Sequence, residues 1–139
     1  MKRNIVTGGA IGWALLIFLL SSQPASRYDD ASGTLDFIPH LDLIAHFGLY
    51  FVLAALVHAA LRIYLPKRKS MLAVDTVVFC LLYGVSDEFH QAFVPGRSLS
   101  GIDLLADVAG AVTAVTIWLA FNRFRKPEQE QDQDGESEG

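Results

Sequence analysis

The stretch from Asn4 to Ser26, "NIVTGGAIGWALLIFLLSSQPAS", carries no charge, and its apolar heart runs from Ile5 to Leu20. Wound as a helix it reaches about 34 Å, enough to cross a hydrocarbon core about 30 Å thick. Lys2 and Arg3 precede it, so a cleaved leader is the competing reading. The apolar part is long for a leader, and "SSQPAS" is a weak cleavage site. The stretch is therefore read as a membrane span.

Three further apolar runs follow, and together they predict an all-α, four-transmembrane-helix bundle with spans at about 5–23, 43–61, 71–86 and 104–121. The second run is broken only by His46 and His58, the third has Asp75 near its start, and the fourth has Asp107 near its start. A hydrophobic content of 52% and a mean hydropathy of +0.34 fit a membrane protein better than a soluble domain of 139 residues. The expected organisation is one membrane domain over 1–126 and an acidic, disordered cytoplasmic tail over 127–139.

Charge sets the orientation. The net charge of −4 comes from the tail, because Glu128 to Gly139 holds six acids and no base. Of the eleven bases, nine fall before span one, between spans two and three, or after span four: Lys2, Arg3, Arg62, Lys67, Arg68, Lys69, Arg123, Arg125 and Lys126. The positive-inside rule makes that side cytoplasmic, with both termini on it. No basic stripe is interleaved with aromatics, so no nucleic-acid partner is expected. A single cysteine, Cys80, excludes a disulfide framework and a thiolate metal site.

The acids sort to the other side. Asp29, Asp30, Asp36, Asp42, Asp87, Glu88, Asp103 and Asp107 lie in or beside the two outer loops, as do His40, His46 and His90. Asp42, His46 and Tyr50 share one helical stripe at i, i+4, i+8, and Asp103, Asp107 and Gly110 form another, with Gly110 admitting a close neighbour. If span three continues past Val85, Asp87 and Gln91 become i, i+4 neighbours with Glu88 beside them. "VPGR", Val94 to Arg97, reads as a turn with Pro95 fixing φ and Gly96 supplying a positive one. Ser21 and Ser22 stand at the outer end of span one, and Pro24 stops it. Four helix ends thus present polar groups at one depth.

A charged Asp at mid-membrane costs ~2.5–3.5 kcal/mol. Asp107 lies about one turn inside, so it calls for partners such as Arg97, His46, Ser or Gln, or for protonation. Plainer roles compete: Asp42 and Asp103 also suit helix N-caps, Asp87 and Glu88 a solvated loop face, and His58 core packing. Three chemistries fit the cluster. Carboxylates with His46 or His90 could bind a divalent metal, but no single helix carries HExxH or ExxH spacing, so neither a metal nor a cofactor is assigned. Acid–base catalysis would fall to Glu88, His46 and Asp87; no GxSxG-type motif supports a nucleophile. Ligand binding without turnover would use Ser21, Ser22, Asp42, His46, Glu88, Gln91, Arg97, Asp103 and Asp107, with Arg97 as the phosphate fork.

Four pieces in series resemble the VanZ-like family of small bacterial membrane proteins: "SSQP" (21–24), "DLIAHFGLYFVLA" (42–54), "DEFHQAFVPGRS" (87–98) and "DLLADVAG" (103–110). Two positions depart from the family's pattern. Leu43 stands where Lys is common, and Asp107 where Asn is common, which removes a cation and adds an acid. The resemblance implies a multi-pass protein of the bacterial cytoplasmic membrane, acting at the outer face on a membrane lipid or lipid-linked envelope precursor. It also implies a connection with teicoplanin resistance. A membrane-embedded hydrolase or transferase, or a structural membrane subunit, are the alternative expectations.

Overall fold

The computed structural model describes residues 2–27, 40–65 and 68–124, and over them the chain is four long helices with no strand among the described residues. They are α1 (Lys2–Ser21), α2 (Leu41–Tyr64), α3 (Lys69–Gln91) and α4 (Gly101–Phe124). Each contains a segment long and apolar enough to cross a membrane. Asp29, Asp30, Asp36, Lys67, Arg125, Lys126 and the tail from 127 lie outside the described residues.

α2, α3 and α4 run beyond the apolar spans at both ends because their polar end turns depress hydropathy without breaking backbone pairing, whereas α1 starts at Lys2 and stops at Ser21, short of the expected 23. α3 is the clearest case: it continues to Gln91, placing Asp87, Glu88 and Gln91 on a helix rather than in a loop. Its end tightens through Phe93 N–H to the His90 carbonyl (3.0 Å) and Val94 N–H to the Gln91 carbonyl (2.9 Å). Pro95, which cannot donate, follows.

Burial is inverted relative to a soluble protein. Leu19, Ile44, Val74, Leu82, Leu105 and Phe121 point outward, whereas Ser21, His58, Thr76, Asp87, Glu88, Gln91 and Asp107 are buried. A lipid-facing exterior accounts for both halves of that pattern, since polar side chains there would lack partners. The core is Ile17, Tyr50, Leu53, Ala54, Val57, Cys80, Ala111 and Ala114. Its small residues let α2 and α4 form the most extensive helix pair.

At the tightest point Gly110 lies against the backbone of α2. A Cβ there would meet the Phe47 carbonyl oxygen and sit 3.0 Å from the Phe51 nitrogen. Trp13 Nε1 donates to the Leu49 carbonyl at 2.9 Å and the Tyr83 hydroxyl to the Ala14 carbonyl at 2.6 Å. These two bonds tie α1 to α2 and α3.

Candidate functional site

The ends of α1 and α3 and the beginnings of α2 and α4 meet at one end of the bundle, and their polar side chains form two adjoining networks. The first joins α1 and α3. Ser21 Oγ donates to Asp87 Oδ2 at 2.7 Å, and Gln91 Nε2 donates to the same oxygen at 3.1 Å and to Ser21 Oγ at 3.3 Å. The Gln91 side-chain oxygen Oε1 then accepts from Arg97 Nη2 at 2.6 Å and Nε at 3.3 Å. Arg97 reaches Gln91 because Val94–Arg97 is a tight turn, closed by Arg97 N–H to the Val94 carbonyl (3.0 Å), with Gly96 at φ 77°. The same turn is fastened to the chain after α1 through Ala25 N–H and the Pro95 carbonyl (3.3 Å).

The second network joins α2, α3 and α4. His46 Nδ1 lies 2.9 Å from Asp107 Oδ1, and His46 Nε2 lies 4.0 Å from Asp103 Oδ2. The close approach at Gly110 makes this pairing possible, because Asp107 is one turn before Gly110 and His46 directly precedes Phe47. Gly84 on α3 packs closely against this pair: a Cβ there would stand 3.2 Å from Asp107 Oδ2 and 2.9 Å from Leu104.

Glu88 links α3 to the start of α4. Its Oε2 accepts from the Ser100 backbone N–H at 2.7 Å, while Ser100 Oγ accepts from the Asp103 N–H at 3.2 Å. Ser100 is therefore the N-cap of α4, and Asp103 stands at the third helical position. In a capping box the acid at that position would take the cap residue's own N–H. Glu88 takes it instead, which releases Asp103 to face His46. The cap expected of Asp103 thus belongs to Ser100. For α2, His40 occupies the cap position without a side-chain cap bond, and Asp42 follows in the first turn.

Of the side chains singled out in the sequence, Ser21, His46, Asp87, Glu88, Gln91, Arg97, Asp103 and Asp107 come together in the two networks. Ser22 sits at the edge: its hydroxyl donates to the Phe18 carbonyl at 2.7 Å, so His90 Nε2, 3.0 Å away, donates to it. Asp42 is exposed one turn beyond His46 and joins neither network among the described residues. Two contributors escaped sequence reasoning, Gly84 and Ser100. The S-x-x-D pattern at Ser100 to Asp103 was the available signal for the second.

Among the described residues, three buried carboxylate oxygens have no hydrogen-bond partner, Asp87 Oδ1, Glu88 Oε1 and Asp107 Oδ2, and neither does the Tyr50 hydroxyl nearby. His46, Glu88 and Asp107 each offer one ligand atom, all within 4.8 Å of one another, a grouping able to hold a metal ion. Sequence spacing assigned no metal because these donors come from three helices, where no single-helix motif exists to be read. A separate apolar groove of about 270 Å³ lies farther along the bundle, bordered by Phe51, His58, Ala114, Trp118 and Phe121. Its His58 is held by Thr76 at 2.9 Å and packs on Trp118, apart from the acids.

Four helices long and apolar enough to cross a membrane, packed around a polar cluster at one end, are the architecture of a multi-pass membrane protein. The VanZ/LLP1 family profile matches residues 7–122, and the chain belongs to that family. No curated protein and no solved structure matches it.

Proposed function

We propose that this protein binds or modifies the head group of a lipid-linked envelope precursor at the extracytoplasmic face of the bacterial cytoplasmic membrane. In this reading its cellular effect is reduced sensitivity to glycopeptides such as teicoplanin. The observation that carries the reading is the buried polar layer at one end of the bundle, with three carboxylate oxygens that lack partners among the described residues. Intramembrane acids are costly and point to function by default. The loop charges, with nine of eleven bases at the opposite ends, support an outward-facing site.

The two networks divide the work. Arg97, half-buried at the edge and already oriented by Gln91, suits a phosphate oxygen through its planar fork. The acids supply acceptors for the hydroxyl and amide donors that a glycopeptide head group carries. Their surplus over bases disfavours a bare anion and favours a donor-rich ligand.

The test is teicoplanin susceptibility of a host expressing the wild-type chain, Arg97→Ala or Glu88→Ala at matched membrane levels. The wild type is expected to lower susceptibility and both variants to lose the effect. Full retention by both would refute the reading. A second reading, membrane-embedded hydrolysis or transfer, is favoured by the 2.9 Å His46–Asp107 pair, the arrangement that orients a general-base imidazole. Product released from labelled lipid-linked precursor by the wild type, and lost in His46→Ala, would establish catalysis.

A further inference from the structure

We infer that His46, Glu88 and Asp107 form a binding site for one divalent first-row metal ion such as Zn²⁺ or Mn²⁺. The three residues come from α2, α3 and α4, and each brings a ligand atom within 4.8 Å of the others. A cation with bonds of about 2.1 Å needs donors roughly 3–4 Å apart, so side-chain adjustments on the order of 1 Å close the set. His46 Nδ1 and Asp107 Oδ1 are already 2.9 Å apart.

A second observation points to the same ligand. Asp107 is fully buried and Glu88 is 2% exposed, yet Asp107 Oδ2 and Glu88 Oε1 have no hydrogen-bond partner among the described residues. Buried carboxylate oxygens are normally satisfied, and a small cation is able to reach ones this deeply enclosed. The outer contacts are those of a ligand set. Ser100 N–H holds Glu88 Oε2 at 2.7 Å, leaving Oε1 as the free donor atom. Asp103 Oδ2, at 4.0 Å, faces His46 Nε2, the ring nitrogen turned away from Asp107. At 4.0 Å the contact is too long for a hydrogen bond, but a shift of on the order of 1 Å would let this carboxylate accept the ring N–H and fix the ligating tautomer.

One imidazole and two carboxylates suit Zn²⁺ or Mn²⁺ better than soft, thiolate-seeking ions. Three protein ligands leave at least one coordination position open. The cation would also tie three helices together and offset the surplus of acids, and neither effect depends on any precursor binding.

The test uses the full chain purified in detergent, stripped with EDTA, then titrated separately with Zn²⁺ and Mn²⁺ by calorimetry, with a parallel thermal melt. The expected result is one saturable equivalent per chain for at least one of the ions and a higher melting temperature on loading. Asp107→Asn and Glu88→Gln should each weaken binding at least tenfold, and exposed Asp42→Asn should leave it unchanged. Should one of the two isosteric variants fail to elute as wild type, the other decides. The inference is overturned if neither ion gives saturable binding, or if a variant that elutes as wild type keeps wild-type affinity.

Discussion

Gly110→Ala should loosen the α2–α4 interface and open the site with it. The added methyl would overlap the Phe47 carbonyl oxygen and crowd the Phe51 nitrogen at 3.0 Å. Both are backbone atoms and cannot rotate aside. A carbon prefers about 3.3–3.6 Å from a carbonyl oxygen, so the helices must part by on the order of 1 Å. Overpacking of this kind costs about 1–3 kcal/mol. The same parting would stretch the His46–Asp107 contact from its present 2.9 Å to roughly 3.9 Å, past hydrogen-bonding range. The assay is a thermal melt in detergent beside Gly48→Ala, because a Cβ at Gly48 meets nothing within 4 Å. That control should be neutral or gain up to about 1 kcal/mol from helix propensity. Gly110→Ala melting at or above Gly48→Ala would refute the reasoning.

Other outcomes follow from the same geometry. Gly96→Ala forces a side chain into the φ 77° position and brings its methyl 3.0 Å from the Ala25 Cβ; a loss of about 1–3 kcal/mol is expected in the same melt. Ser100→Ala removes the cap of α4 and should cost about 1 kcal/mol, which a melt of that variant would register. For topology, a reporter active only in the cytoplasm should be active when fused at Gly139 and silent when fused at Ser32.

Much of the architecture could be read from the chain because hydropathy over twenty residues is a strong signal. The four spans, the tight approach at Gly110 and the turn at Pro95–Gly96 all followed from local rules. Positions at helix ends were harder. Hydropathy cuts a helix where polar residues begin, so α3 was truncated before Asp87, Glu88 and Gln91, the side chains that build the site. Caps were ambiguous for a related reason: Asp103 has the chemistry for a cap as well as for the site, but Ser100 is nearer the helix start, and Glu88, from another helix, takes the backbone N–H that would have held Asp103. The His46–Glu88–Asp107 grouping draws on three helices, and no spacing along one of them encodes it. Gly84 left no trace beyond its identity, since its role depends on Leu104 and Asp107 lying opposite.

The central claim is that this polar cluster receives a ligand and does not merely lock four helices together. Affinity of the purified protein for a lipid-linked precursor, compared between wild type and Arg97→Ala, tests it most directly when each sample is also melted. The account predicts that Arg97→Ala loses at least tenfold in affinity while its melting temperature stays within a few degrees of wild type. Precursor affinity unchanged in Arg97→Ala, or absent from the wild type, would contradict it.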